Sequence, residues 1–398
     1  MRSADALVRA FARLWLGTRE QGRPRSFLFF LITALGLIAL GCASGARRSG
    51  HLRAPDWVSE DPASVAQGQA IAEARPVISE PFGTAPGLLT NGFSSPLAPR
   101  RAPIPPETWV SLDRWCKARG LAPASRVAAV PLPTYALHAG GGILILRAGS
   151  QSVEWEGTEL RLGFAPQSIN GQPFVHALDL RKTIEPLQAG SQWVFPKTNA
   201  IIVIDPGHGG ENAGTKSVLG NGFEKEFTLD WARRLQNVLL TNGWQVFLTR
   251  SNDTELSLSN RVALADEHRA GLFLSLHFNS AGSDQGQAGL ETYCLTPAGM
   301  TSSVTRGFAD DPAQEFPNNV FDESNLQLAV RIHRALLQLN GHCDRGVRRA
   351  RFLGVLRRQQ RPAVLVEGGY LSNPREARLI SDPAYRQRLA EVVANALE

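Results

Sequence analysis

The second half of the chain alternates short β-branched runs with segments of helical period. Ile201–Ile204, Val246–Leu248, Leu272–Leu276, Leu290–Cys294 and Ala363–Val366 are predicted strands. Runs so little interrupted by polar residues suit strands buried on both faces. Between them, Glu224 to Thr241 repeats Phe227, Trp231, Leu235 and Val238 at helical spacing. Ser324 to Asn340 gathers Leu328, Ile332, Ala335, Leu336 and Leu339 on one face, with Gly341 placed to end the helix. This alternation predicts an α/β fold, with a mixed, mostly parallel sheet flanked by helices on both faces. Pro297 to Glu323, dense in Pro, Asp, Ser and Thr, is predicted to be a loop.

The first half has three other textures. Residues 107–196 read as a small α+β accessory domain. Trp109 to Leu112 leads into a short helix with Trp115, and Ile143–Leu146 and Leu160–Leu162 read as strands. Gly149-Ser150, Glu156-Gly157 and Asn170-Gly171 punctuate them as turns. Residues 42–106 lose periodicity and gather Pro, Ala, Gly and Ser, the composition of a flexible tether. Residues 1–41 combine six arginines in the first 26 positions with an apolar run from Phe27 to Leu40. That run is short for a membrane span and suited to a secretory signal.

The candidate chemistry collects at the carboxyl ends of the predicted strands, the edge where α/β sheets bind ligands. Asp205-Pro206-Gly207-His208-Gly209-Gly210 follows the first strand, Glu224 opens a helix, His277 closes a second strand, and Glu367 ends a third. Each has a plainer reading in isolation: a core histidine, an acid favouring a helix dipole, an acid at a strand end. Glu226 competes with Glu224 as a ligand. Together, two His and one Glu would leave Zn²⁺ a fourth position for water, and a second carboxylate could take that water's proton.

Residues 199–398 resemble the catalytic domain of zinc-dependent N-acetylmuramoyl-L-alanine amidases of the amidase-3 type. The likeness rests on seven blocks in order: Asp205 to Gly210, Gly222 to Glu226, Leu248-Thr249-Arg250, Ser275 to Ser280, Asp344 to Val347, Phe352 to Leu356, and Val366 to Pro374. Glu211-Asn212 departs from the more usual Asp-Pro. The resemblance implies one Zn²⁺ on His208, Glu224 and His277, with Glu367 as the catalytic carboxylate and Arg345 and Asn279 as substrate contacts. The bond cut would join N-acetylmuramic acid to L-alanine in peptidoglycan. A different zinc amidohydrolase or peptidase of the wall, or a non-catalytic wall-binding lipoprotein, are the alternatives. Some relatives insert an inhibitory helix near 297–323; the breaker-rich composition here favours a loop. Residues 107–196 weakly resemble the N-terminal module of copper amine oxidases, but no copper-ligand cluster accompanies them.

Leu40-Gly41-Cys42-Ala43-Ser44 resembles a bacterial lipoprotein cleavage site, which would lipidate Cys42 and anchor a periplasmic enzyme to a membrane. An uncleaved signal anchor, or a start codon placed too far upstream, would account for the same residues. The remaining cysteines, Cys116, Cys294 and Cys343, are odd in number, so free thiols are expected, with a Cys294–Cys343 bridge as the alternative. The net charge of +6 includes the leader's arginines and suits an anionic wall or lipid surface. The seven arginines between Arg345 and Arg361 read as a solvated surface, Arg345 excepted. No helix-turn-helix or aromatic-interleaved pattern accompanies the charge, so no nucleic acid is expected as a partner. The expected partners are peptidoglycan, a membrane and a protein activator, with the chain a monomer.

Overall fold

The computed structural model describes residues 109–190, 200–339 and 343–398. The leader, the tether, Cys42 and Gly341 lie outside the described residues. The amino-proximal part runs β1 (Trp109–Ser111), α1 (Leu112–Ala118), β2 (Ser125–Ala128), β3 (Thr134–Ala139), β4 (Gly142–Arg147), β5 (Ser152–Trp155), β6 (Thr158–Arg161), β7 (Gln167–Ile169) and β8 (Gln172–His176). A helical run over 177–189, α2, follows, wound as π-helix through Leu180–Ile184.

The carboxyl-proximal half begins with β9 (Ile201–Pro206), α3 (Glu224–Thr241), β10 (Gln245–Leu248), α4 (Leu258–Glu267), β11 (Leu272–Asn279) and β12 (Leu290–Cys294). After a loop and a 3₁₀ turn at Pro317–Phe321 come α5 (Asp322–Leu337), β13 (Asp344–Arg349), α6 (Gly354–Arg357), β14 (Ala363–Tyr370), α7 (Pro374–Ser381) and α8 (Pro383–Leu397). Among the described residues no helix is long and apolar enough to cross a membrane.

Parallel pairing joins β10 to β9, β9 to β11 and β11 to β14, while β12 lies antiparallel to β14. Side chains on these strands alternate between two separate cores, as the pleat requires. Ile202, Ile204, Leu274, Leu276, Val364 and Val366 pack with Trp231, Leu235 and Leu389 on one face. Val203, Phe273, Leu365 and Tyr293 pack with Ala265 and Phe352 on the other. Helices on both sides thus explain the unbroken apolar runs in the sequence.

The sheet does not stop at the carboxyl-proximal half. Its order is β10-β9-β11-β14-β12-β13-β6-β5-β4-β3-β2, with Val347 of β13 in register with Leu160 of β6. Strands β2 to β6 are an antiparallel meander, and β1, β8 and β7 form a separate three-stranded sheet. Where the sequence predicts a small domain ahead of the amidase fold, the strands of that domain continue the same sheet. Polar links reinforce the junction: the Glu159 N–H donates to Asp344 at 2.8 Å, and Arg349 donates to Thr183 Oγ1 at 2.8 Å.

The arginines between Arg345 and Arg361 correct the solvated-surface expectation. Arg349, Arg351, Arg357 and Arg361 are buried. Arg351 donates to the carbonyls of Pro297 and Met300 and pairs with Asp310, so it folds the 297–310 loop from within. Cys294 is a buried free thiol, not half of a bridge, and Cys116 is likewise buried and free.

Candidate metal centre

Strand β9 ends at Pro206 and the chain turns at once, delivering His208 with φ of 63°. That left-handed backbone is uncommon for a residue with a side chain and carries strain. Gly207 makes the turn possible, because a Cβ there would lie 2.2 Å from the His277 ring. Glu224 is the first residue of α3, whose entry is shaped by Glu226 accepting the Phe223 N–H at 3.1 Å. His277 lies on β11, beyond the apolar run that marks the strand in the sequence.

These three side chains are buried and converge. One ligand atom from each of His208, Glu224 and His277 lies within 4.8 Å of the others. His208 Nε2 sits 3.0 Å from Glu224 Oε2, and His277 Nδ1 sits 2.9 Å from Glu224 Oε1. Asn212 Oδ1 meets His208 Nδ1 at 2.7 Å, turning the opposite ring nitrogen toward Glu224. Orienting partners of this kind commonly support metal-ligating imidazoles. Asn212 is one of the positions where the sequence departs from the family pattern, and here it orients a candidate ligand. The Glu224 carboxylate also accepts the N–H groups of Thr215 and Phe278, each at 3.1 Å.

The charges are set by these contacts. Burial alone would raise the Glu224 carboxyl, but the charges and hydrogen bonds of His208 and His277 hold it well below the usual carboxylate range. Burial disfavours charge on both imidazoles; it prevails at His277, whereas Glu224 lifts His208 above its ordinary value. Two imidazoles and an ionised carboxylate, buried together, are the donor set of a catalytic zinc site. The residues fit that ion.

Glu367 lies on β14 between two neighbours, level with His277 on β11 and with Glu291 on β12. Its carboxylate oxygens are both buried and have no hydrogen-bond partner among the described residues. Burial, and then the charge of Glu224, push this carboxyl well above its usual range. An unsatisfied buried carboxyl is costly, and one beside a candidate metal centre is a candidate for the chemistry.

Glu291 was not singled out by the sequence. It accepts from Arg345 Nε at 2.9 Å, Asn279 Nδ2 at 2.8 Å and Tyr293 OH at 2.7 Å. Burial acts against its charge, but Arg345, the Tyr293 hydroxyl and Arg306 hold the carboxyl below its usual range. Asn279, expected to touch substrate, is 3% exposed and commits its amide to Glu291. Arg345 keeps a quarter of its side-chain surface exposed (25%) and lies 5.1 Å from the Tyr370 ring centroid. Arg306 reaches in from the 297–316 loop and donates to Tyr293 OH at 2.9 Å. Only the folded sheet, which sets Glu291 level with Glu367, marks Glu291, and nothing in the local pattern marked Arg306.

Two histidines and two glutamates gathered at one end of the sheet are a candidate site for metal-assisted hydrolysis, and comparison with known proteins gives the class. Residues 202–398 match the family model described as N-acetylmuramoyl-L-alanine amidase. The germination-specific N-acetylmuramoyl-L-alanine amidase of Bacillus subtilis (strain 168) is 30% identical over 215 residues, 50% of this chain and 79% of that protein. AmiA of Escherichia coli (strain K12), also an N-acetylmuramoyl-L-alanine amidase, is 28% identical over 264 residues, 60% of this chain and 89% of that protein. Among solved structures, the catalytic domain of CwlV from Bacillus (Paenibacillus) polymyxa var. colistinus is similar at 30% identity, covering 50% of this chain and 96% of that one, with a TM-score of 0.41. The chain belongs to the N-acetylmuramoyl-L-alanine amidase family and is an enzyme of that class.

Proposed function

We propose that this enzyme hydrolyses the amide between the lactyl group of N-acetylmuramic acid and L-alanine of peptidoglycan, with zinc as its cofactor. The convergence of His208, Glu224 and His277 beside the buried Glu367 carries this reading. Those three side chains would hold the ion. When bound, zinc supplies Lewis acidity, polarising an amide carbonyl and acidifying water toward a pKa of ~7. Glu367 takes a proton from the attacking water as its oxygen bonds the carbonyl carbon. The same carboxyl then gives the proton to the leaving nitrogen as the C–N bond breaks, leaving a lactyl carboxylate and a free alanine amine. Burial and the neighbouring charge of Glu224 raise this carboxyl's affinity for protons, the direction that strengthens a general base.

Arg345, at the rim, would meet a carboxylate of the stem peptide, while Asn279 and Tyr293 would act by fixing Glu291. The substrate places the enzyme outside the cytoplasm, and the leader and Cys42 would supply export and a lipid anchor. Residues 42–106 would be the tether, residues 107–196 the accessory domain and residues 199–398 the amidase domain, with a protein activator among its partners. Digestion of purified peptidoglycan followed by mass spectrometry tests the bond assignment: new L-alanine amino termini and intact glycan strands are expected. Products cut within the peptide would transfer the enzyme to the peptidases. Chelation should abolish turnover and zinc should restore it, with zinc content measured on the same samples.

A further inference from the structure

The His208 turn is held from behind by two buried arginines that sequence motifs alone did not explain. Arg250 follows β10 and Arg261 lies on α4; they are 3% and 5% exposed. Arg261 donates through NH1 to Asp205 Oδ1 at 2.6 Å and the Pro206 carbonyl at 2.9 Å, and through NH2 to the His208 carbonyl at 2.8 Å. Arg250 donates through Nε to the Pro206 carbonyl at 3.0 Å. Its NH2 reaches both the Gly207 carbonyl at 2.7 Å and the Lys225 carbonyl at 2.8 Å. Three consecutive carbonyls of the turn therefore accept from guanidinium groups. The last of these contacts joins the His208 turn to the residue after Glu224, so one side chain ties together the backbones that carry two of the three candidate ligands.

We propose that Arg261 and Arg250 are positioning residues for the metal centre, holding the strained His208 turn so that its imidazole faces Glu224 and His277. A left-handed backbone at a residue with a side chain persists only where its surroundings over-determine it. The planar guanidinium fork supplies that constraint, since its donors have fixed relative directions. A lysine keeps the charge but offers a single flexible centre that cannot serve three carbonyls in the same geometry. Without the fork the turn gains freedom, and the imidazole must be reordered each time the ion binds.

The inference rests on the zinc reading, and its test separates the two. Full-length wild type, Arg261→Lys, Arg250→Lys and Arg349→Lys are stripped of metal, and Zn²⁺ affinity is read by competition with a chromogenic chelator. Metal-free melting temperature is recorded in parallel. Arg349 is the control, an equally buried arginine (4% exposed) that donates to Thr183 and to the Lys182 carbonyl at the accessory junction. The expected result is a loss of zinc affinity of about 10- to 100-fold in Arg261→Lys and Arg250→Lys, the usual cost of releasing a metal ligand from its orienting partner. Arg349→Lys should lower the melting temperature and leave zinc affinity within about twofold of wild type. Unchanged affinity in both turn variants overturns the proposal alone. So does an equal loss in Arg349→Lys, or unfolding of both turn variants while Arg349→Lys stays folded, since each marks general fold support. A wild-type chain that binds no zinc overturns the zinc reading and this proposal together.

Discussion

Glu367 concentrates the residue-scale chemistry, because it is a buried carboxyl without a hydrogen-bond partner among the described residues. Replacing it with Gln removes proton transfer and keeps the shape. Turnover of Glu367→Gln should fall at least ~100-fold while zinc remains bound, as loss of a general acid–base group predicts. Steady-state rates on labelled peptidoglycan, together with metal analysis, check this; near-normal turnover would show that another group is the base. Gly207 gives a second case. Its missing Cβ leaves room for the His277 ring, which a methyl group would meet at 2.2 Å. Gly207→Ala should therefore bind little zinc, and retention of one equivalent after dialysis would contradict that account. The sequence displays His277 and Glu367 because each breaks an apolar run at its end, and His208 because it stands in the Gly-rich turn behind one. Glu291 was hidden because its importance comes from pairing across strands, Glu291 opposite Glu367, which no local window contains.

Element boundaries show the same division between local and distant causes. Strands β11 and β14 extend to Asn279 and Tyr370, past the predicted ends at Leu276 and Val366. The extra residues are largely polar or glycine, so their composition conceals the strand, while ladder pairing with neighbours sustains it. Helix α5 starts at Asp322, ahead of the predicted Ser324, because a 3₁₀ turn stabilised by the Asn319 amide leads into it. Helix α2 carries a pH-dependent element. Asp179 accepts the N–H groups of Gly163 and Phe164 at 2.8 and 2.9 Å, yet burial pushes its carboxyl up to about 6. An unfolded Asp titrates near ~3.9. The folded chain therefore holds this proton more tightly, and the resulting stabilisation is complete below ~3.9 and lost as the pH rises through about 6. Asp179→Asn cannot titrate, so it should lack this part of the decline in melting temperature across that window. Parallel pH profiles of wild type and variant would refute the assignment.

At the scale of the whole molecule, the two halves of the alternating pattern were legible as fold classes, but their union was not. Val347 and Leu160 lie far apart in sequence, and only the folded sheet places them in register. The catalytic half alone would expose the β13 edge, lose the Arg349 contacts to Thr183 and Lys182, and lose the 2.8 Å pair between Lys182 and Asp322. A fragment of residues 199–398 is expected to melt at lower temperature than the full chain and to self-associate, since open strand edges invite pairing. Scanning fluorimetry and size-exclusion chromatography measure both. A monomeric fragment of unchanged stability would mean that the β13–β6 pairing contributes little.

That pairing also restricts how such an enzyme can be rebuilt. Exchange of the strands β2 to β6 for those of another protein would sever a ladder as well as the chain. A donor module would have to present a β6-like edge matching Val347, with an acceptor for Arg349. Grafts chosen for compatible edges should yield working chimaeras, whereas those chosen for length alone should not.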